Sequence, residues 1–558
     1  MTRAGVVAVV ALALTAGLAL RVARLGVRPM HHDEANQAVK FGILLERGEY
    51  RYDAHDHHGP TLYYLSLPAA WLRGQPTLAS LDERTLRGVT VAFGAATILL
   101  VPLLLAGVGR PAVAAAATLT ALSPAMVFYS RMFIQESLFA CFTLAFVIAV
   151  GHATLRGGLA WPAVAGVAAG LALATKETAV IVLPATLAAS AIAWWSLGPD
   201  RPRHLLVGGR WRGAAVVSLA TAAAVAALFF SSFLAAPGGV LEPFRSAATY
   251  LARGVDPASH AHPWHYYLGL LAYSSSGGLR WTEALVLVLA GVGGVAAFVP
   301  PRAASGGLAD HSRVERTFWA RALTGYAAIA TATFSAIPYK TPWNLLPFHV
   351  GLLVLAGIGF SSLVRASSSR ALRAALVAGF VAASGHLGWQ AWRASVTYAS
   401  DPRNPYVYAH TVPDALRMAT RIRALGAVHP DGARMQVSVI APPHEQWPLP
   451  WDLRTMPHVG YWTAPGEPLA LQAPVVVASM AHTAALDDAL GDRYVSEFFG
   501  LRPEVLLVLY VERGLWDRFL VGAAADPTAD ACPDAGSSAA EHCGHAPAVA
   551  LFRATSAP

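Results

Sequence analysis

Charge is scarce in this chain. Only 13% of its 558 residues are Asp, Glu, Lys or Arg, against about 25% in an average soluble protein. That composition excludes an ordinary water-soluble enzyme. Cysteine is scarcer still, with three in all. Cys141 lies in an apolar run, and Cys532 and Cys543 sit near the C-terminus, where a disulfide can form if that region is exported. None stands at a zinc-finger spacing, and no short solenoid-type repeat is present. The formal net charge is +8, but the arginines are scattered over short loops, so nucleic acid is not an expected partner. The first apolar run, residues 6–20, lacks a small-residue cleavage site and is followed by Arg21, Arg24 and Arg28. It reads as an uncleaved first span.

Apolar sequence, by contrast, is abundant: 55% of residues are hydrophobic and the mean hydropathy is +0.46. A membrane span needs about 20 mostly apolar residues. About eleven segments qualify: 5–25, 86–107, 111–129, 135–154, 159–175, 178–196, 213–234, 282–300, 318–337, 343–363 and 371–391. The expected fold is a polytopic α-helical membrane protein. Residues 1–391 form its transmembrane domain, 392–525 a small α/β extracytoplasmic domain, and 526–558 a disordered tail rich in Ala, Asp, Gly and Pro. Within the α/β region, 414–425 reads as an amphipathic helix, and 435–441, 475–479 and 505–511 as buried strands. The spans lack charges at their centres, where an ion-coupled transporter places them. Surface chemistry is favoured instead.

Alternate short connections carry Arg110, Arg156, Arg201 to Arg212, Arg302 to Arg316, and Arg365 to Arg373. The positive-inside rule puts that set, with the N-terminus, in the cytoplasm. Arg24, Arg28, Arg84 and Arg131 fall on the other side, where a phosphate-handling site or chance accounts for them. The polar motifs also fall on that other, outer side. In the long first outer loop, 27–85, a helix is expected to start at Glu34, with Ala35, Ala38, Val39, Gly42 and Leu45 on one face. A second, interfacial helix is expected over 61–72.

The loop opens on His31-His32-Asp33-Glu34. Two adjacent acids at a membrane edge suit a general base for a hydroxyl, or a divalent cation, Mg or Mn, held against phosphate. Asp33 and His32 are the candidate metal ligands. The plainer reading makes Asp33 an N-cap and Glu34 a first-turn charge, and the two readings are compatible. His58, with His55 and His57, lies further along. Arg131 and Glu136, and then Lys176 and Glu177, mark outer ends of spans, where either substrate binding or an internal ion pair explains them. Tyr339, Lys340 and Trp343 begin another span, and His265 lies in an aromatic stretch able to stack on a sugar. Glu445-Gln446-Trp447-Pro448-Leu449-Pro450-Trp451 is placed to cover the site or to form a structural turn.

Together, His31-His32-Asp33-Glu34-Ala35, His58-Gly59-Pro60 with Tyr63-Tyr64, Tyr129-Ser130-Arg131 with Glu136, Lys176-Glu177, Tyr339-Lys340-Thr341-Pro342-Trp343 and the Glu445 stretch resemble the GT-C membrane glycosyltransferases. That group includes protein O-mannosyltransferases and the aminoarabinose transferase of lipid A. More closely, they resemble the flippase activity-associated membrane proteins of archaeal N-glycosylation. The resemblance implies a GT-C fold in the plasma membrane and a polyprenyl-phosphate-linked sugar donor. It makes Asp33 the catalytic base supported by Glu34, with Lys340, Arg131 and Lys176 as candidates for the donor phosphate. An inverting transfer follows if one base acts opposite the leaving group. The acceptor stays open, and the alternative is a flippase or flippase-assisting protein that binds the lipid phosphate without transfer.

Overall fold

The computed structural model describes residues 1–53, 58–204, 209–245, 260–299, 311–466 and 468–525. His55, Asp56 and His57, the Cys532–Cys543 pair and the 526–558 tail lie outside these. The chain divides into two compact units. The first comprises Met1–Arg417, Pro443–Thr455 and Phe499–Leu506; the second comprises Met418–Pro442, Met456–Phe498 and Leu507–Pro558.

The first unit is helical, and the expected spans fall on helices, with 111–129 divided between two. In chain order these are α1 (Arg3–Val22), α2 (His32–Arg47), α3 (Thr61–Leu72), α4 (Glu83–Leu100), α5 (Arg110–Leu122), α6 (Pro124–Tyr129), α7 (Glu136–Leu155), α8 (Ala160–Leu173), α9 (Ala179–Trp195), α10 (Arg210–Phe230), α11 (Tyr266–Ala272), α12 (Ala284–Ala296), α13 (His311–Ala336), α14 (Leu346–Ala366) and α15 (Arg370–Trp392). Among the described residues, six helical runs are long and apolar enough to cross a membrane, the longest being Arg370–Thr397, and α8, α9 and α12 are shorter apolar helices. The segment expected as one span over 111–129 is broken at Ser123-Pro124. Pro124 has no N–H to continue the helix, and the Ser123 side chain caps α6 by accepting the Met126 N–H. Close backbone approach draws the bundle together. A Cβ on Gly359 would lie 1.9 Å from the Leu289 carbonyl, and one on Gly293 2.3 Å from that of Leu355, so α12 and α14 cross on glycine.

The helix expected from Glu34 begins two residues earlier. His31 is its N-cap, its ring accepting the Asp33 N–H, and the Glu34 side chain returns to the His31 N–H to complete a capping box. Gly48, at φ 67°, closes the helix in the left-handed conformation. The buried face carries Ala35, Ala38, Phe41 and Leu44, but also Glu34 and Gln37. Buried polar groups within an interfacial helix need partners, and these locate the site. The second interfacial helix, α3, has the expected limits.

Most of the second unit's strands form a five-stranded sheet of order β4-β3-β5-β7-β6, where β3 is Val437–Ile440, β4 Val459–Trp462, β5 Val475–Ser479, β6 Tyr494–Arg502 and β7 Val505–Glu512, the β6–β7 turn segment Phe499–Leu506 being counted with the first unit. A short hairpin in the first unit supplies β1 (Ser274–Ser276) and β2 (Leu279–Trp281). Strand β3 pairs parallel with β4 and β5, and β5 antiparallel with β7. The apolar runs Val-Ser-Val-Ile and Val-Val-Val-Ala-Ser are buried throughout, as central parallel strands covered on both faces must be.

Candidate active site

The two acids of the opening motif face different surroundings because they are consecutive on a helix. Glu34 is fully buried. Its Oε1 accepts from Arg87 Nε (2.8 Å) and the Phe133 N–H (2.9 Å). Its Oε2 accepts from Arg28 Nη2 (2.7 Å), the His31 N–H (3.0 Å) and Arg87 Nη2 (3.1 Å). Burial pushes this carboxyl upward, but the charges of Arg28 and Arg87 outweigh it and hold Glu34 well below the usual carboxylate range. With both oxygens engaged, Glu34 has no lone pair directed to a substrate or a metal. Of the two roles expected of Glu34, support of Asp33 or help in holding a metal, this geometry leaves room for support. Arg87 is itself pinned, donating to the carbonyls of Leu25 (2.8 Å), Arg28 (3.0 Å) and Pro29 (3.2 Å).

Asp33 points the other way. Its side chain is 42% exposed, with His31 Nδ1 at 3.8 Å. Among the described residues it forms no ion pair with lysine or arginine. His31 is buried between the acids and a strap formed by 404–410. Its Nδ1 accepts the Asp33 N–H (3.1 Å), so the proton resides on Nε2, which donates to the Tyr408 carbonyl (3.0 Å). Trp343 and His410 pack their rings on His31 at 5.7 and 4.8 Å. The Tyr408 hydroxyl bonds His260 Nδ1, and the Tyr339 ring lies 5.1 Å from that of His260. On the other flank burial depresses the pKa of His32. The Trp447 ring lies 5.9 Å away. The 443–455 stretch is tied down by Trp451 Nε1 donating to Glu83 (2.8 Å) and Arg454 Nη2 to the Leu81 carbonyl (2.8 Å).

Other sequence candidates form neighbouring groups. Lys176 Nζ donates to Glu136 (2.5 Å) and to Asn344 Oδ1 (2.7 Å), all three buried. His58 Nδ1 lies 2.7 Å from Glu177, which also accepts from the Tyr52 hydroxyl (3.3 Å). Gly59 makes that contact possible: a Cβ there would lie 2.1 Å from the Ala174 carbonyl. Lys340 donates to the carbonyls of His262 (3.0 Å) and Ile337. Arg131 does not reach the acidic pair's open side. It caps α1, donating to the carbonyls of Leu20 and Arg21 at 2.8 Å each. His265 is exposed, and its ring meets Trp264 (5.5 Å). Among the described residues no three His, Cys, Asp or Glu side chains gather as a metal site. Asp33 and His32 therefore do not complete the ligand set expected of them.

Sequence reasoning missed Arg87, the 404–410 strap and a fully buried Glu283, and it placed Arg28 on the outer side without pairing it to Glu34. Arg87 had a readable signal, being an arginine inside an otherwise apolar span.

Comparison with known proteins follows from this geometry. Residues 11–233 match the family model of the dolichyl-phosphate-mannose-protein mannosyltransferases. The structure is similar to the archaeal oligosaccharyltransferase AglB of Archaeoglobus fulgidus, solved with an inhibitory peptide and a dolichol-phosphate. The TM-score is 0.56 at 15% identity, covering 92% of this chain and 77% of that one. It is also similar to ArnT of Cupriavidus metallidurans bound to undecaprenyl phosphate, with a TM-score of 0.57 at 14% identity, covering 91% of this chain and 98% of that one. The chain has a GT-C fold. Helices of this fold make it a multi-pass membrane protein. A further AglB structure, with a TM-score of 0.54, 15% identity and coverage of 92% and 76%, was solved with Zn and sulfate. No curated protein matches the chain.

Proposed function

We propose that this GT-C protein is a membrane glycosyltransferase moving a sugar from a polyprenyl-phosphate donor to an acceptor hydroxyl. The observation that carries the reading is the division of labour within the acidic pair. Glu34 is locked under α2 by two arginines, and Asp33, 42% exposed, has no lysine or arginine partner among the described residues. A carboxylate so placed is a base within reach of an acceptor. Asp33 takes the hydroxyl proton as that oxygen bonds the anomeric carbon. The bond from that carbon to the phosphate oxygen breaks on the opposite face, and the polyprenyl phosphate leaves with the electron pair. Configuration inverts.

Lys340 is the best cation for the departing phosphate, because among the described residues its side chain donates only to two neutral carbonyls. Lys176 is already matched by Glu136, and Arg131 by the carbonyl end of α1. Tyr339 and Trp343 offer ring faces to the sugar. His58, Glu136 and Glu177 border the substrate through the turns they hold, and His265 packs on Trp264, which lines an apolar groove. That groove, about 640 Å³ and lined by Trp264, Leu268, Leu287, Gly294, Leu352 and Leu355, suits a prenyl chain. AglB and ArnT, captured with dolichol-phosphate and undecaprenyl phosphate, support this donor class.

We place the site at the outer face of the plasma membrane, with the N-terminus cytoplasmic and the 392–525 region an extracytoplasmic α/β domain. Within GT-C, the motif set is that of the flippase activity-associated proteins. Transfer ranks above translocation because the family match is to mannosyltransferases. A divalent cation, if one acts, needs ligands beyond Asp33 and His32, and the step above is derived without it. The test uses purified protein in lipid vesicles with a panel of radiolabelled polyprenyl-phosphate sugars. Wild type and Asp33→Asn are compared with and without chelator. Label released by wild type alone supports the reading; equal release by both sinks it.

A further inference from the structure

Glu283 is a carboxylate that the transfer step leaves unused. It is fully buried at the start of α12 and holds four donors from three parts of the chain. Its Oε1 accepts the Ala125 N–H (2.9 Å) and the Tyr406 hydroxyl (2.8 Å). Its Oε2 accepts the Ser123 hydroxyl (2.6 Å) and His349 Nε2 (3.1 Å). Three of these partners belong to the helical bundle. Tyr406 belongs to the strap.

The strap continues to the site. Asn404 Nδ2 donates to the carbonyls of Ala394 (3.0 Å) and Tyr398 (2.9 Å), and its Oδ1 accepts the Tyr406 N–H (3.1 Å). The Tyr406 carbonyl accepts the Tyr129 hydroxyl (2.9 Å). Two residues on, the Tyr408 carbonyl accepts His31 Nε2. Ala409 then turns at φ 51°, a left-handed conformation costly for a residue with a Cβ. His410 Nδ1 secures that turn by accepting the Tyr408 N–H (3.0 Å). Such a bend persists only where its surroundings over-determine it.

We propose that Glu283 and Tyr406 are positioning residues for Asp33. They anchor the strap, the strap fixes the proton and plane of His31, and His31 holds the Asp33 backbone through its N–H. The inference rests on Asp33 being the base. Neither residue touches a reacting atom. A carbonyl at Tyr408 demands the proton on His31 Nε2, which leaves the Nδ1 lone pair for Asp33. A strap released at Tyr406 lets the imidazole turn and the start of α2 drift, and a drift of about 1 Å at a base costs about 100-fold in rate.

The experiment is a double-mutant cycle with a second readout independent of activity. Tyr406→Phe removes one hydroxyl and leaves Glu283 its other three donors. His31→Asn keeps an oxygen able to cap the Asp33 N–H but is too short to reach the Tyr408 carbonyl. In vesicles with the active donor, each single change is expected to lower kcat by about 10-fold with donor KM within about 2-fold. The double variant should then be within about 2-fold of His31→Asn alone, because both cut one line of contact. Losses that multiply would place Tyr406 on a separate, purely structural path and overturn the proposal. Amide hydrogen exchange decides the matter even if no donor is turned over. Tyr406→Phe should speed exchange in peptides covering 29–36 and 404–411 and leave α14 unchanged. Unchanged exchange at 29–36, or equal loosening of α14, overturns the proposal.

Discussion

Exchanging a carboxylate for an amide at adjacent positions should separate the two acids. Asp33→Asn removes a negative charge from a side chain that is 42% exposed. The N-cap is His31, so the capping bonds survive. The fold loses only a first-turn interaction with the helix dipole, about 0.3 kcal/mol at this exposure. Activity loses its general base, a factor of about 10² to 10⁴. Glu34→Gln inverts the pattern. The amide cannot neutralise Arg28 and Arg87, and its NH2 faces donors where an oxygen stood. Removing one partner of a buried ionic cluster costs about 3–5 kcal/mol, a large share of the stability of a typical domain. Each variant is heated in steps in detergent, the monodisperse fraction is read by size-exclusion chromatography, and donor-sugar release is measured on the folded fraction. Asp33→Asn should match wild type in the first assay and fail the second, and Glu34→Gln should fail the first. An Asp33→Asn protein within about 3-fold of wild-type rate, or a Glu34→Gln protein as heat-stable as wild type, refutes the division of roles.

Lys176→Met should cost about 3–5 kcal/mol by leaving Glu136 buried and unpaired, and adding Glu136→Gln should restore most of it; the same heating assay reads both. Lys340→Gln should raise donor KM by about 10- to 100-fold, the worth of a charged hydrogen bond, with a smaller change in kcat; a kcat effect alone would remove Lys340 from the phosphate. Burial holds His410 well below the ordinary histidine range. The folded state therefore keeps His410 neutral while the unfolded chain takes up a proton. Stability is full above about pH 6.5 and falls as pH drops below it. His410→Phe should flatten that slope between pH 6.5 and 5 by up to one proton, measured by denaturation at each pH. Trp451→Phe deletes the bond to Glu83 and should speed limited proteolysis within 443–455, with the α1–α4 segment unaffected.

Much of the bundle was legible because membrane spans are written in bulk hydropathy, and twenty apolar residues outvote any local detail. Strands β3, β5 and β7 were legible for a similar reason, as short unbroken apolar runs. Strand β4 was not: its four residues are half-buried and include Gly460. Strand β6 alternates exposed and covered residues around Glu497, a weaker signal than a continuous run. In the site, the opening motif was conspicuous as the first polar cluster after a span, but its internal assignment was not. Asp is a commoner cap than His, so Asp33 was the natural choice, and the structure gives that place to His31. Arg87 stood out as an arginine inside an expected apolar span, but nothing in the sequence named Glu34 as its partner. Tyr406, Tyr408 and His410 match no motif, because their role lies in contacts hundreds of residues away.

The contacts also bear on why chemistry at one face is a better reading than passage through the bilayer. Arg21 at the end of α1 donates to the carbonyls of Thr120 (3.3 Å) and Ala121 (3.0 Å) at the end of α5. Arg131, just beyond α6, donates back to the end of α1. Glu136 begins α7, Lys176 follows α8, and Asn344 precedes α14, and these three meet. Glu283 begins α12 and joins Ser123 between α5 and α6 to His349 in the first turn of α14. Helices that alternate in direction thus contribute C-terminal ends from some and N-terminal ends from others, and the contacts bind those ends to one another. That is possible only if they lie at one end of the bundle. Ionisable groups needed to carry a charged headgroup across would be distributed in depth. Here these charges brace a single rim, and Asp33 on that rim has no lysine or arginine partner among the described residues.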